Sequence, residues 1–127
     1  MCPKSGIVIV LASLALAVQA LAQAPAPPQE GANKTAADYF KLCATLYNAG
    51  KTGADAIAAC DQAIATDPKK ADAYFVKASI LYGNGTIDKN NKIVVPPGTV
   101  ETLKQYLAVA PNGPHVPDVK AMLDALN

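Results

Sequence analysis

Three groups of residues in this chain are of types that could do chemistry: the cysteines Cys2, Cys43 and Cys60, the single histidine His115, and the run Asp88, Asn90, Asn91. Each can be tested against the spacing its chemistry requires. Cys43 and Cys60 are not at the C-x-x-C spacing of a redox pair, and no base is near either in sequence. A lone imidazole beside prolines, without a cysteine or carboxylate cluster, reads as a surface residue rather than a metal ligand. Asp88, Asn90 and Asn91 lack the glycine and the terminal glutamate of a calcium loop and read as a turn. No glycine-rich phosphate loop follows a strand, and no serine has a triad around it. The residues therefore predict a non-enzymatic protein without metal or cofactor.

The cysteines gain meaning from the elements that must hold them. Phe40, Cys43, Ala44 and Tyr47 recur at helical spacing, as do Ala56, Cys60 and Ala63, with Ile57 and Ile64 beside them. Gly50 supplies a left-handed stop between the two helices. Thr52, with Asp55 three residues on, offers an N-cap for the second, as Thr35 and Asp38 do for the first. The pairs Phe40 and Ala63, Cys43 and Cys60, Tyr47 and Ala56 are each symmetric about the Lys51–Thr52 turn. Residues equidistant from the turn of an antiparallel hairpin stand at one height, so each ring faces an alanine and the two cysteines face one another. That brings their Cα atoms within the roughly 4.4–6.8 Å that a disulfide spans. The alternative is a pair of buried free thiols, each acting as a small hydrophobe.

Phe40, Ala44, Tyr47, Ala56, Cys60, Ala63 and Pro68 stand without a gap where the 34-residue tetratricopeptide repeat has its signature residues. The segment 37–70 resembles that family, with Cys43 and Cys60 replacing a leucine and an aromatic. A second unit, 71–111, is in register: Tyr74 and Ala78 follow Phe40 and Ala44 by 34 residues. Its closing Pro111 comes 43 residues after Pro68, so nine residues are inserted, and they fall in 83–98. There Thr86-Ile87-Asp88 and Ile93-Val94-Val95 flank a polar turn, as a small β-hairpin or an ordered loop would. Val100, Leu103, Tyr106 and Leu107 form the apolar face of the helix that follows. A capping helix is expected over 116–126, with Val119, Met122, Leu123 and Leu126 facing inward. The expected fold is all-α: two helical hairpins, an insertion and a cap, together spanning 35–127.

The resemblance implies a concave groove lined by the outward positions of each first helix. These are Asp38, Lys41, Thr45 and Asn48 in the first unit, and Asp72, Phe75, Ser79 and Tyr82 in the second. A bound protein or peptide would use Phe75 and Tyr82 as anchors. Phe75 has a second possible place, packed under the 83–98 insertion. Self-association through the open repeat face, with no separate ligand, is the other functional reading.

Residues 1–22 have the form of a secretory signal, with Lys4 before an apolar run and Ala20-Leu21-Ala22 as cleavage site; the rival is an uncleaved anchor. Residues 23–34 form a proline- and alanine-rich linker. An exported protein, periplasmic or secreted, is expected, and its two remaining cysteines favour a disulfide. Of the 127 residues, all eleven basic ones are lysines, against ten acids, a net charge of +1, and removal of the signal would take away Lys4 and leave the charge balanced. Without arginine or a net charge there is nothing to steer the chain to nucleic acid, or to a membrane once the signal is removed. Asn33-Lys34-Thr35 and Asn84-Gly85-Thr86 match the N-glycosylation triplet.

Overall fold

Helix α1, Ala36–Asn48, begins where Thr35 and Asp38 complete a reciprocal cap. Asp38 N donates to Thr35 Oγ1 at 3.3 Å, and Thr35 N donates to Asp38 Oδ2 at 2.9 Å. The helix closes as a Schellman motif: Gly50 at φ 72° lets Lys51 N donate to the Leu46 carbonyl and Gly50 N to that of Tyr47. In this computed structural model residues 34–127 are described; the expected signal over 1–22, the expected linker up to residue 33 and Cys2 lie outside the described residues.

Helix α2, Ala54–Thr66, starts differently from the expectation. Its N-cap is Gly53, and no side chain caps it. The Thr52 hydroxyl instead donates to Asn84 Oδ1 at 3.3 Å, while its carbonyl accepts from Asn84 Nδ2 at 2.8 Å. A partner from the end of the next helix has taken Thr52 away from the local cap. Asp55 remains in the first turn, where a carboxylate suits the helix dipole.

Helix α3, Ala71–Gly83, buries Ala73, Tyr74, Ala78, Ile80 and Leu81. It packs against α1 and α2 on one side and against the following helix on the other. Two covered sides explain why its apolar residues are not confined to one stripe. The insertion forms the antiparallel hairpin β1, Thr86–Ile87, with β2, Ile93–Val94. Asp88 Oδ1 accepts from Asn90 N at 2.8 Å and Lys92 N at 2.9 Å, and Asn91 turns the chain at φ 61°. The Asp88 carboxylate is thus engaged by the turn.

Helix α4, Thr99–Val109, follows Gly98, whose φ of 86° makes the entry. The buried hydroxyls of Thr99 and Thr102 donate to the carbonyls of Pro96 and Gly98 at 2.6 and 2.7 Å. Helix α5, Val116–Ala125, packs on α4. The described residues are therefore mostly helical, in a sequential helical-repeat-like arrangement with one small hairpin.

The core has two centres. Cys43, Ala56, Ala59, Cys60 and Ile80 form the first, and Tyr74, Ala78, Leu103, Tyr106 and Val119 the second, with Met122, Leu123 and Leu126 packed on it. One stripe residue departs from the expected pairing. Tyr47 is 38% exposed, whereas Ala56, its expected partner, is fully buried in the cluster that Ile80 enters from α3. Phe40 stays half-buried, with Lys70 Nζ 4.9 Å from its ring centroid.

The cap of α1 has a testable pH dependence. The Thr35 backbone N–H and then its hydroxyl, helped by Lys41 and Lys34, hold the Asp38 carboxyl below its ordinary value of 3.8. A depressed carboxylate stabilises the fold above the unfolded pKa, and that contribution is lost as pH falls through the folded one. Thermal melts taken from neutral pH to below 3.8 are expected to show wild type losing more stability than Asp38→Asn. Parallel curves for the two proteins would contradict this. At neutral pH, Thr35→Ala should cost about 1 kcal/mol.

Candidate functional site

Of the eight residues expected to line a groove, none is buried, although every one lies in a helix that buries others. On α1, Asp38, Lys41, Thr45 and Asn48 are all exposed. On α3, Asp72 is exposed, and Phe75, Ser79 and Tyr82 are half-buried. Two of the eight have their polar groups already engaged. Asp38 accepts from the Thr35 hydroxyl at 2.8 Å as well as from its N–H, and the Ser79 hydroxyl donates to the Phe75 carbonyl at 2.8 Å. Lys41, Thr45, Asn48, Asp72 and Tyr82 are left to offer a polar, near-neutral surface.

Phe75 has a partner that the sequence did not announce. Its ring stacks on the His115 imidazole, with centroids 3.8 Å apart and planes 6° from parallel. Tyr106 lies tilted against it at 5.9 Å. Phe75 therefore packs against the residue that leads into α5. His115 in turn is half-buried rather than a plain surface residue, and its Nδ1 lies 3.5 Å from Asp118 Oδ2. The backbone N–H of His115 donates to the Tyr106 hydroxyl at 3.0 Å.

Cys43 and Cys60 meet, at disulfide-bonding distance, with Cα atoms 5.1 Å apart and both residues fully buried. Their burial between α1 and α2 gives them a structural place, with no open path to a substrate. Among the described residues no group of three or more histidines, cysteines and acids could hold a metal ion. Asn84, in the second glycosylation triplet, uses its amide to hold Thr52.

A second surface is apolar. Tyr39, Leu42 and Leu46 of α1, with Asp55, Ala58, Ala59 and Gln62 of α2, line an open groove of about 440 Å³. Leu42 there is 47% exposed. Sequence reasoning did not single out this face, because its residues lie outside the hairpin contact that organises the pattern.

Compared with protein-family models, curated proteins and solved structures, the chain matches none.

Among the described residues no helix is long and apolar enough to cross a membrane. The arrangement can therefore do two things chemically. It can present a shallow polar surface with one available aromatic, Tyr82, and it can present an apolar groove on the α1–α2 hairpin.

Proposed function

We propose that this chain is an exported, non-enzymatic interaction module of the tetratricopeptide type, binding a protein or peptide along the exposed faces of α1 and α3. One observation carries it. The register pairs Phe40 with Tyr74, Ala44 with Ala78 and Leu46 with Ile80, and the second-unit member of each pair is buried, whereas Asp38, Lys41, Thr45 and Asn48 of the first unit are all exposed and, of their counterparts, Asp72 is exposed and Ser79 and Tyr82 are half-buried; Phe75 alone packs on the core. No one of these eight positions is fully buried in either unit. Export is supported by the paired cysteines, which an oxidising compartment would keep joined.

The partner surface is polar, with Lys41 and Asn48 offering hydrogen-bond donors and Tyr82 the aromatic contact. Phe75 contributes by holding the α5 entry loop in place, so its loss would disturb fold and binding together. Tyr82 is the cleaner probe. Photo-crosslinking residues placed at Lys41, Asn48 and Tyr82, with Lys104 and Lys120 as controls, test this in the native extracytoplasmic compartment. Adducts to one partner from the first set alone are expected, and Tyr82→Ala should reduce them at least tenfold without shifting the melting temperature. Equal adducts from both sets, or none from the first, would remove the groove from consideration.

A further inference from the structure

We infer that Asn112 is a site of spontaneous covalent modification, where the folded chain ages by deamidation, and that the fold guards the chemically equivalent Asn84 from the same reaction. The co-reactant is water. The inference goes beyond the binding proposal and uses none of its residues.

The chemistry needs a particular dipeptide. A backbone nitrogen gives up its proton and attacks the side-chain Cγ of the asparagine before it. A C–N bond forms, the Cγ–Nδ2 bond breaks and ammonia leaves, closing a succinimide ring. Water then opens the ring at one carbonyl or the other, giving aspartate or its β-linked isomer, and nothing is oxidised or reduced. Glycine in the second place favours the attack, because it has no side chain in the way and the freest backbone. Two such pairs occur among the described residues, Asn84-Gly85 and Asn112-Gly113.

The structure treats the two pairs alike in two respects and unlike in a third. Both asparagines are exposed. Each glycine N–H donates to the carbonyl three residues back, Gly85 to Tyr82 and Gly113 to Ala110, both at 3.0 Å. The difference lies in the asparagines. Asn84 caps α3, and its backbone N–H donates to the Ile80 carbonyl at 3.0 Å. Its Nδ2 donates to the Thr52 carbonyl at 2.8 Å, and its Oδ1 accepts from the Thr52 hydroxyl at 3.3 Å. The amide is held at both ends and has to give up both bonds before Cγ can turn in line with the Gly85 nitrogen. Asn112 lies in the turn after α4, and among the described residues neither its amide nor its backbone N–H makes a hydrogen bond.

Gly113 decides what the reaction does to the fold. The β-linked product adds a main-chain atom directly before this residue, where room is lacking: a Cβ on Gly113 would stand 2.5 Å from the Tyr106 hydroxyl and 2.9 Å from the Ala110 Cβ. The same hydroxyl accepts the His115 N–H at 3.0 Å. The β-linkage therefore displaces the loop that carries His115 and loosens α5, whereas plain aspartate leaves the main chain as it was.

Peptide mapping by mass spectrometry tests this on the exported chain, incubated at mildly alkaline pH in water enriched in heavy oxygen, which labels each converted asparagine. In native buffer, conversion at Asn112 is expected to outrun that at Asn84 by about tenfold or more, the factor that two ordinary hydrogen bonds hold back. In urea the two rates should come together. Asn112→Gln should remove the early product. The β-linked form, separated from the aspartate form, should melt below fresh protein, whereas Asn112→Asp should melt with it. Equal conversion at the two sites in native buffer would overturn the inference. A gap that persists unchanged in urea would do so as well, by tracing the preference to neighbouring sequence rather than to the Thr52 bonds. A β-linked form that melts with fresh protein would overturn the consequence drawn for α5. None of these readouts involves a partner, so this inference and the binding proposal fail separately.

Discussion

Tyr106→Ala is expected to lower stability by about 3–5 kcal/mol, the range for losing a buried aromatic. The ring is fully buried in the second core centre and touches elements far apart in sequence. Phe75 of α3 lies against one side, and the His115 ring 6.2 Å away fixes the loop into α5. The hydroxyl adds a second function by accepting the His115 N–H. Tyr106→Phe keeps the ring and removes that acceptor, leaving a part-buried donor unpaired, and should cost about 1–3 kcal/mol. Gly113 supplies a check on the same contact. A Cβ there would stand 2.5 Å from the Tyr106 hydroxyl and 2.9 Å from the Ala110 Cβ. Gly113→Ala is therefore destabilising in wild type and less so beside Tyr106→Phe, where one of the two clashes has gone. Urea denaturation of the four proteins measures the coupling. Strictly additive losses would mean that the hydroxyl does not hold the loop.

Four of the described helices were legible because each carries a periodic stripe of its own, and α3, which is apolar on two sides, was legible through its 34-residue register with α1. The insertion was legible because the proline-to-proline distance exceeds one repeat and the excess holds two short β-branched runs. The facing cysteines were legible for a geometric reason: a tight turn fixes which residues of a hairpin share a height. Long-range competition for a polar group was not. Thr52 reads locally as an N-cap, yet it is taken by Asn84, 32 residues on, and nothing near Thr52 in sequence signals this. Phe75 and His115 failed in the same way, since their stacking joins residues on different elements and neither has an obligatory partner. Tyr47 shows the limit of the symmetry rule. It orders heights along the hairpin but does not say how far a large side chain turns inward, and Ile80 had already closed over Ala56.

Removing the Cys43–Cys60 link is expected to cost roughly 3 kcal/mol, the loss predicted for a closed loop of about this length. The two residues are 17 apart in sequence, and the bond joins the middles of α1 and α2. The link matters more here than it would in the other half of the domain. The first core centre is built from Cys43, Ala56, Ala59, Cys60 and Ile80, whereas the second holds Tyr74, Leu103, Tyr106 and Val119. Alanines bury little apolar area, so the α1–α2 hairpin draws less from packing and more from the constraint on its unfolded chain. Cys43→Ala with Cys60→Ala is the appropriate comparison, because serine would bury hydroxyls in place of sulfur. The double variant should unfold at lower urea with a steeper slope, as an unlinked unfolded chain exposes more surface. Hydrogen exchange should then locate the loss: amides of α1 and α2 open more readily, while those of α3 and α4 change less. Full burial of both cysteines adds a kinetic consequence, since a reductant reaches the bond only when the hairpin opens. Reduction in native buffer should therefore be slow and accelerate with urea. Equal stability with and without the link, or loss spread evenly over the five helices of the described residues, would place the hairpin's stability in its packing instead.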